Sequence, residues 1–337
     1  MKKYLFFCMA MIALLFASCK NEDISISREV SFIVNPSTVV KDFAKYEYKP
    51  GDMSSVFWFD IGDRLRVQLF LFDANGYLVE RQVRYVDGYD SSVSFDRELS
   101  DGRYTVLAVT DEVGLSGSSV TDEYWIFSGT ERLDNLKITD SGWSDGRFKK
   151  LGITSQSITV RPGQTVFNID VKAAGAMVHS WIYNIHGFND VEEYSLWMTR
   201  KNGNFSFNSD GSYEVGSEHV NFTRNLREDV PSDYTASNIY GYNFIAPFGN
   251  TGFRWEVKLS DGYYYIMLQE EYMSVKAEKC YGCYLNINGN NSSFVFVDLD
   301  NGKGMPAVED AIEIPITKEM AAPRSESAKP NVVKHLE

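Results

Sequence analysis

Apolar and polar residues alternate along much of the chain with a period of two. The clearest run is RLRVQLFL at residues 64–71, and RWEVKL at residues 254–259 repeats the pattern. Because every second side chain of a β-strand lies on the same face, each run predicts a strand with one apolar face on a core. Residues 29–34, 157–161 and 165–171 predict further strands.

Residue pairs that favour tight turns separate these runs. They are Asn75-Gly76, Asp101-Gly102, Asp210-Gly211, Asp261-Gly262 and Asn301-Gly302. Asn-Gly and Asp-Gly are typical of two-residue hairpin loops. The best helical candidate, residues 191–199, would make only about two turns, as a connector. Short strands separated by turns, without alternating helices, predict an all-β protein made of sandwiches or barrels.

A short internal echo suggests a duplication. LSDGRY at residues 99–104 recurs as LSDGYY at residues 259–264. Together with a length of 337 residues, the echo predicts two similar sandwiches in tandem. Gly, Ser, Asp and Lys collect at residues 142–154 and mark the boundary, while periodicity is lost near the C-terminus. The expected units are a first sandwich at 28–150, a second at 151–317 and a disordered tail at 318–337.

The N-terminus has the pattern of a lipoprotein signal peptide. A basic start precedes an apolar run at residues 4–16, and two small residues then lead into Cys19. We therefore expect removal of residues 1–18 and acylation of Cys19, with palmitate among its lipids. The apolar run is too short to span a membrane by itself. The alternative is an ordinary secreted protein whose signal contains a cysteine, and Phe16 stands where most lipoboxes have leucine.

The residues after Cys19 indicate where the lipoprotein is sent. Lys20, Asn21, Glu22 and Asp23 place one base and two acids directly after the lipidated position. This resembles the lipoprotein export signal of the Bacteroidota, which implies display on the outer face of the cell outer membrane. The alternative is a solvated tether, residues 19–27, that carries no signal.

Composition and charge narrow the classes of partner. Hydrophobic residues make up 44% of the chain and aromatic residues 14%, enough for a substantial core. The formal net charge is −13, and loss of Lys2 and Lys3 with the signal peptide would bring it to −15. Such an acidic protein is repelled by nucleic acid, so no nucleic-acid partner is expected.

Two cysteines, Cys280 and Cys283, remain after the signal peptide and Cys19 are set aside. Their spacing fits a redox dithiol or half of a zinc site, but also a local disulfide or two buried thiols. A redox motif should open a helix, whereas residues 279–287 look like a strand. The histidines show no ligand spacing, so a structural role is favoured and no metal is expected.

Catalytic signatures are missing from the sequence. There is no nucleophile elbow, zinc-protease motif or phosphate-binding glycine loop, so no catalytic residue and no cofactor are assigned. A carboxylate pair for glycoside hydrolysis stays open, although no pair stands out. Asp298, Asp300 and Asn301 offer oxygen ligands for calcium, but a plain turn is favoured.

Tyrosines crowd the second half of the chain. Tyr263 and Tyr265 share one face of a predicted strand, and Tyr264 lies on the other. If Tyr264 faces the core, Tyr263 and Tyr265 face outward, where tyrosines suit contact with protein or sugar. The alternative is that another strand or loop covers them.

Two motifs carry a family resemblance. Residues 63–79 (DRLRVQLFLFDANGYLV) resemble the first-domain signature of the FimB-like fimbrial anchor and fimbrillin family of the Bacteroidota. Residues 99–109 (LSDGRYTVLAV) resemble the hairpin that follows it in that family. The resemblance covers residues 19–113 and implies two tandem transthyretin-like, Greek-key β-sandwich domains. It also implies a non-catalytic fimbrial anchor or accessory subunit, joined to fimbrillin-type subunits by β-strand addition.

Within that family, a retained lipid favours the anchor over a stalk subunit, because stalk subunits lose their N-terminus after a basic residue. Arg28 stands where such a cut would fall. The final predicted strand, residues 311–316, is a candidate for strand exchange, and Pro315 suits a sheet edge. The competing class is a carbohydrate-binding surface lipoprotein of a polysaccharide-utilisation system. Its sugar platform would be an exposed aromatic residue: Trp58, Trp125, Trp143 or Tyr263.

Overall fold

A computed structural model describes five stretches with their side chains: residues 27–36, 63–141, 150–176, 204–215 and 276–281. For the remaining strands named below it describes the backbone. These residues form 22 β-strands and one 3-10 turn, Leu133–Asn135, and they contain no α-helix. The predicted all-β class is confirmed.

Ten strands precede residue 176. They are β1 (Ser27–Asn35), β2 (Asp63–Asp73), β3 (Leu78–Val86), β4 (Val93–Ser100), β5 (Gly102–Ser116), β6 (Ser119–Glu123), β7 (Trp125–Ser128), β8 (Lys137–Asp140), β9 (Leu151–Val160) and β10 (Val166–Asp170).

Twelve strands follow. They are β11 (Ala176–Tyr183), β12 (Val191–Lys201), β13 (Phe205–Phe207), β14 (Tyr213–Val215), β15 (His219–Asn225), β16 (Ile239–Ile245), β17 (Asn250–Leu259), β18 (Tyr263–Ser274), β19 (Cys280–Asn288), β20 (Asn291–Asp298), β21 (Ile312–Pro315) and β22 (Thr317–Met320).

The strands form five sheets. Sheet I has the order β10-β1-β4, and sheet II has the order β3-β2-β5-β6, with β9 also paired to β5. Sheet III has the order β14-β13-β8-β7. Two five-stranded sheets complete the fold: sheet IV, β16-β11-β19-β20-β21, and sheet V, β15-β12-β17-β18-β22. Stacked sheets of this kind are the sandwich arrangement that the alternating pattern predicts.

Strand β2 is buried on both faces. The predicted apolar face, which runs from Leu65 to Leu71, lies in the core as expected. The other face is also buried, because Phe70 stacks on Phe127 of β7 at 6.1 Å between ring centroids. Arg66, on that same face, donates to the backbone oxygen of Trp125. The polar residues Arg66 and Gln68 suggest that this face of β2 is exposed to solvent, but sheet III covers it.

The predicted short helix at residues 191–199 is wrong. Strand β12 occupies these residues and pairs with β15 on one side and β17 on the other. A central position between two hydrogen-bonded neighbours overrides a weak local helical pattern.

The turn at Asp101-Gly102 is also different from its prediction. Strand β4 pairs with β1 in sheet I, whereas β5 pairs with β2, β6 and β9 in sheet II. The turn therefore passes from one sheet to another and does not close a hairpin. Its echo at residues 259–264 joins β17 to β18, which do pair with each other. The two echoes have different topologies, which removes the support they gave to a duplication.

The expected unit boundaries do not coincide with the strand pairing. Strand β9 pairs with β5 over residues 151–160, and β10 pairs in parallel with β1. Residues 151–170 are thus hydrogen-bonded to strands of the first half, although they were expected to open the second. At the other end, residues 317–320 form β22, so the first residues of the expected tail belong to sheet V.

A long hairpin connects the two halves. Ser195 pairs with Asn225 and Lys201 with His219, and the same register continues from Phe205–Val215 to Phe207–Tyr213. The hairpin, here called the arm, thus begins in sheet V and ends in sheet III, where β13 pairs with β8. At its tip Asp210-Gly211 forms the predicted turn with Gly211 at φ +85°, a conformation that favours glycine.

Candidate functional site

The predicted lipidation and export residues lie outside the described residues. They are Cys19, Lys20, Asn21, Glu22 and Asp23. They stay predictions. Among the described residues, no helix is long and apolar enough to span a membrane. No group of three or more His, Cys, Asp and Glu side chains in that part of the chain is placed to hold a metal ion.

Arg28 lies inside strand β1, where it pairs with Leu99 of β4 in the register. Its guanidinium donates to the Asp101 carboxylate at 2.6 Å, which holds the pKa of Asp101 below its usual range. Strand β1 is the central strand of sheet I and buries Val30, Phe32 and Val34 almost completely. The candidate cleavage position is therefore part of an ordered strand that the core holds in place.

Trp125 is not an aromatic platform. Its side chain is fully buried and packs edge-on against Phe205 of the arm, at 5.7 Å between ring centroids. Trp58 and Trp143 lie outside the described residues, and for Tyr263 only the backbone is described, in β18. The predicted outward orientation of Tyr263 and Tyr265 thus stays a prediction.

Cys280 and Cys283 lie on one continuous strand, β19, as the sequence predicts. Cys280 is buried, and successive residues of β19 pair with successive residues of β11 from Cys280 through Cys283. Three residues of extended strand separate two Cα atoms by about 10 Å. A disulfide reaches only about 7 Å between Cα atoms, so this strand geometry excludes a disulfide between the two. A redox dithiol opening a helix is excluded as well.

The last two strands lie at sheet edges. Among the described strands, β21 pairs with β20 alone and is the outermost strand of sheet IV, as the position of Pro315 predicts. Strand β22 has β18 as its one neighbour within the same described part of the chain and is the outermost strand of sheet V. Each is four residues long. Each sheet of the second half thus ends in a short strand held from one side.

A polar cleft opens between β9 and β10. The two strands leave the turn at residues 161–164 and separate, because β9 joins sheet II and β10 joins sheet I. The cleft has a volume of about 310 Å³. Its lining combines amide, hydroxyl and guanidinium groups with an apolar floor: Gln156, Ser157, Ile158, Thr159, Arg161, Gln164 and Phe167.

Arg66 forms a buried ion-pair network on one face of β5. Its Nε and Nη2 donate to the two carboxylate oxygens of Asp111 at 2.9 and 2.7 Å, and Nη1 pairs with Glu123. Burial lowers the pKa of Arg66, but the two acids outweigh burial and leave it raised, so the side chain stays charged. Burial raises the pKa of Asp111, against the opposing effect of Arg66.

Glu112 forms a second buried pair on the other face of β5. Its Oε1 lies 2.8 Å from Lys150 Nζ and accepts a hydrogen bond from the Tyr89 hydroxyl at 3.0 Å. The pKa of Glu112 is raised to about 7. Burial is the main cause and nearby Asp63 adds to it, while Lys150 and Tyr89 act in the opposite direction. This cluster was not predicted from the sequence. The feature of the sequence that could have indicated it is the Asp-Glu pair inside the apolar run of β5.

No family model matches this chain, and no curated protein matches it. Among solved structures, the chain is similar to the fimbrial anchor protein Mfa2 from Porphyromonas gingivalis, at 10% identity and a TM-score of 0.41, covering 80% of this chain and 98% of that one. It is also similar to the tip fimbrial protein Mfa3 of the same organism, with a C-terminal truncation, at 13% identity and a TM-score of 0.43, covering 80% and 100%.

A third similar structure comes from Bacteroides thetaiotaomicron and is described as polysaccharide-binding. It shares 12% identity with this chain and has a TM-score of 0.48, covering 80% of this chain and 97% of that one. The solved structures to which the chain is similar thus include fimbrial anchor and tip proteins of the Bacteroidota.

Proposed function

We propose that this chain is a non-catalytic surface lipoprotein, held in the outer membrane by lipid on Cys19, that serves as a fimbrial anchor or accessory subunit. It joins fimbrillin-type subunits by β-strand addition. The observation that supports this best is the placement of β21 and β22 as short, one-sided edge strands of sheets IV and V. The sequence motifs at residues 63–79 and 99–109 support the fimbrial role, because they resemble motifs of the fimbrial anchor and fimbrillin family.

The physical basis is the exchange of one edge strand for another. A four-residue edge strand has few hydrogen bonds to lose, and its departure leaves a row of unpaired N–H and C=O groups. A longer segment of another subunit can pair with that row and bury every second side chain. Each Å² of apolar surface buried there adds roughly 25 cal/mol. A longer strand from a partner therefore outcompetes the short resident strand.

The position of β1 favours an anchor over a stalk subunit. A cut after Arg28 would remove only the first residues of β1, while Val30, Phe32 and Val34 hold the rest in the core. The scissile bond also lies within the β1–β4 ladder, beside the Arg28–Asp101 ion pair. A protease needs an extended, accessible segment, so this arrangement protects the link between lipid and sandwich.

The lipid anchor is tested at Cys19. We expect Cys19→Ala to incorporate no radioactive palmitate and to leave the membrane fraction. The matched variant Lys20→Ala, Glu22→Ala, Asp23→Ala should keep the lipid and lose protease accessibility on whole cells. Unchanged accessibility in that variant would remove the export signal from the proposal.

Strand exchange is tested by locking β21 in place. Ser292 of β20 pairs with Ile314 of β21, so a Ser292→Cys, Ile314→Cys variant can close a disulfide between them. In a Cys280→Ser, Cys283→Ser background, we expect the oxidised lock to prevent capture of a fimbrillin-type subunit and reduction to restore it.

The matched control locks the opposite edge of sheet IV with Ser180→Cys and Gly241→Cys, a pair in the β11–β16 ladder. This control should capture the subunit in both redox states. Equal capture by the oxidised β21 lock and by the control would contradict strand exchange at β21.

The second candidate function is carbohydrate binding, and the cleft between β9 and β10 is the observation that favours it. Its amides, hydroxyls and apolar floor are groups that sugar sites use. Micromolar binding of a polysaccharide that is lost in Gln156→Ala, together with normal fimbriae in a gene deletion strain, would favour this alternative.

A further inference from the structure

Strands β2 and β5, with the residue that precedes β9, bring an amine and two carboxyl groups together on one buried face. Asp63 of β2 pairs with Gly114 and Leu65 with Glu112, so Asp63 and Glu112 lie on the same face of sheet II. On the other side of β5, Leu151 pairs with Asp111, which places Lys150 beside Glu112. All three residues are buried: Lys150 is 1% exposed, Glu112 0% and Asp63 5%.

The contacts within this cluster are unequal. Lys150 Nζ and the Tyr89 hydroxyl both lie against Glu112 Oε1, at 2.8 and 3.0 Å. Glu112 Oε2 has no hydrogen-bond partner among the described residues. A buried carboxylate oxygen without a donor is costly, and a buried lysine is a compact charge that cannot satisfy both oxygens. The non-covalent pair therefore leaves part of the carboxyl group unsatisfied.

We propose that Lys150 and Glu112 are joined by an isopeptide bond between Nζ and the side-chain carboxyl carbon. The 2.8 Å contact between Nζ and Oε1 places the amine beside the carboxyl carbon to which Oε1 is bonded. Reacting atoms meet productively at about 3–3.5 Å. A proton that passes along this contact from Nζ to the carboxylate leaves a neutral amine beside a neutral acid. This is the reactive pair.

The reaction forms one bond and releases one water molecule. The Nζ lone pair attacks the carboxyl carbon, and the negative charge that develops on Oε1 is stabilised by the Tyr89 hydroxyl. Oε2, the oxygen without a donor, departs as water. The remaining proton on nitrogen passes through the neighbouring Asp63 carboxylate to that departing oxygen, so Asp63 is unchanged at the end. No oxidant, metal or activated co-reactant is needed.

The bond would join β5 to the start of β9 covalently. It closes a loop from residue 112 to residue 150, which contains β6, β7 and β8. A covalent loop of this kind restricts the unfolded chain as a disulfide does, without depending on redox conditions. The inference rests on the buried cluster alone and is independent of the proposed fimbrial function.

Peptide mapping of the full chain, purified from the cells that make it, tests the bond. Trypsin cuts after Arg103 and Arg132, which releases residues 104–132. It also cuts after Lys149 and Lys172, but it does not cut after an acylated Lys150. We expect a branched product in which residues 104–132 are joined to residues 150–172, lighter than the sum of both peptides by one water. Cleavage after Lys150, giving separate linear peptides, overturns the proposal.

Variants separate the bond from a merely structural pair. Lys150→Arg keeps the positive charge but should give only linear peptides, and Lys150→Met provides a second variant without a nucleophile. Tyr89→Phe should form the branched product several-fold more slowly in freshly made chain. The matched control, Arg66→Lys on the opposite face of β5, should keep the branched product in full. A branched product that persists in Lys150→Arg would also overturn the assignment.

Discussion

Adjacent acids on β5 are buried on opposite faces and are satisfied in different ways. Asp111 receives a two-pronged contact from Arg66, one donor to each oxygen. Glu112 receives two donors from Lys150 and Tyr89, but both reach the same oxygen. The planar guanidinium matches the geometry of a carboxylate, whereas an ammonium group acts as a single point of charge. Both carboxylate oxygens therefore have a donor on one face of the strand, whereas on the other face only one of the two has a donor among the described residues.

This difference has a chemical consequence. Arg66 stays charged, because Asp111 and Glu123 raise its pKa above the ordinary value despite burial. Its guanidinium therefore stays a cation and has no lone pair with which to attack Asp111. The pKa of Glu112 rises to about 7, mainly through burial, so its neutral acid is well populated at physiological pH. Burial thus leaves Arg66 charged, because two acids lie beside it, and favours the neutral acid at Glu112.

The largest expected effect comes from breaking the arginine pair. Arg66→Met leaves Asp111 buried without its counter-ion, so we expect a loss of about 3–5 kcal/mol in the free energy of unfolding. Urea denaturation followed by circular dichroism measures it. The control is Arg64→Met in the same strand, whose partner Asp87 is 92% exposed and whose loss should cost little. Equal losses in the two variants would mean that Arg66 does not stabilise through its buried acid.

The lysine pair is tested by the pH dependence of stability. In Lys150→Met, Glu112 remains a carboxyl group, and its folded pKa lies above about 7 because Lys150 no longer lowers it. Its unfolded pKa is about 4.3, so the folded state binds more protons between these values. Stability should be fully present below pH 4.3 and fall by up to about 1.4 kcal/mol per pH unit as pH rises through this window.

In the unsubstituted chain the amide does not titrate, so this pH dependence should be missing. Unfolding free energies measured from pH 5 to 8 make the comparison. The double variant Lys150→Met, Glu112→Gln is the control and should be flat as well. If the unsubstituted chain and Lys150→Met lose stability in parallel, Glu112 is a free carboxyl group in both.

The smallest expected effect is at the edge of the arginine network. Glu123 also pairs with Arg66, but its side chain is 44% exposed. Solvent screens such a pair, so we expect Glu123→Gln to cost less than about 1 kcal/mol in the free energy of unfolding. Thermal unfolding at low and high salt measures it. A loss as large as that of Arg66→Met would place the main stabilising contact of Arg66 at Glu123.

Strand content and local turns could be predicted from the sequence because both depend on short-range patterns. Residues 64–71 and 254–259 lie in strands, and Asn75-Gly76 turns between β2 and β3, with Asp73 accepting the backbone N–H of Asn75. Pro315 also lies on an edge strand, as its missing N–H predicts. Each of these depends on a residue's own backbone or its next neighbours.

Pairings between distant segments could not be predicted in the same way. Residues 191–199 became a central strand through neighbours more than twenty residues away. Trp125 is buried because β13 pairs beside it, some eighty positions later in the sequence. The ion pair of Glu112 and Lys150 depends on the register between β5 and β9. No period or turn motif encodes such a register, although two adjacent acids in an apolar strand were a sign of buried partners.

The arm has a consequence for biosynthesis. The apolar face of β7 and β8 is completed by β13 and β14, which end only at Val215. During translation or export, therefore, the first half of the chain cannot finish folding when its own residues have emerged. Trp125 and Ile138 stay uncovered until the arm arrives, and contacts this distant in sequence form slowly. The nascent chain thus passes through a stage with exposed apolar surface, which makes it a client for chaperones.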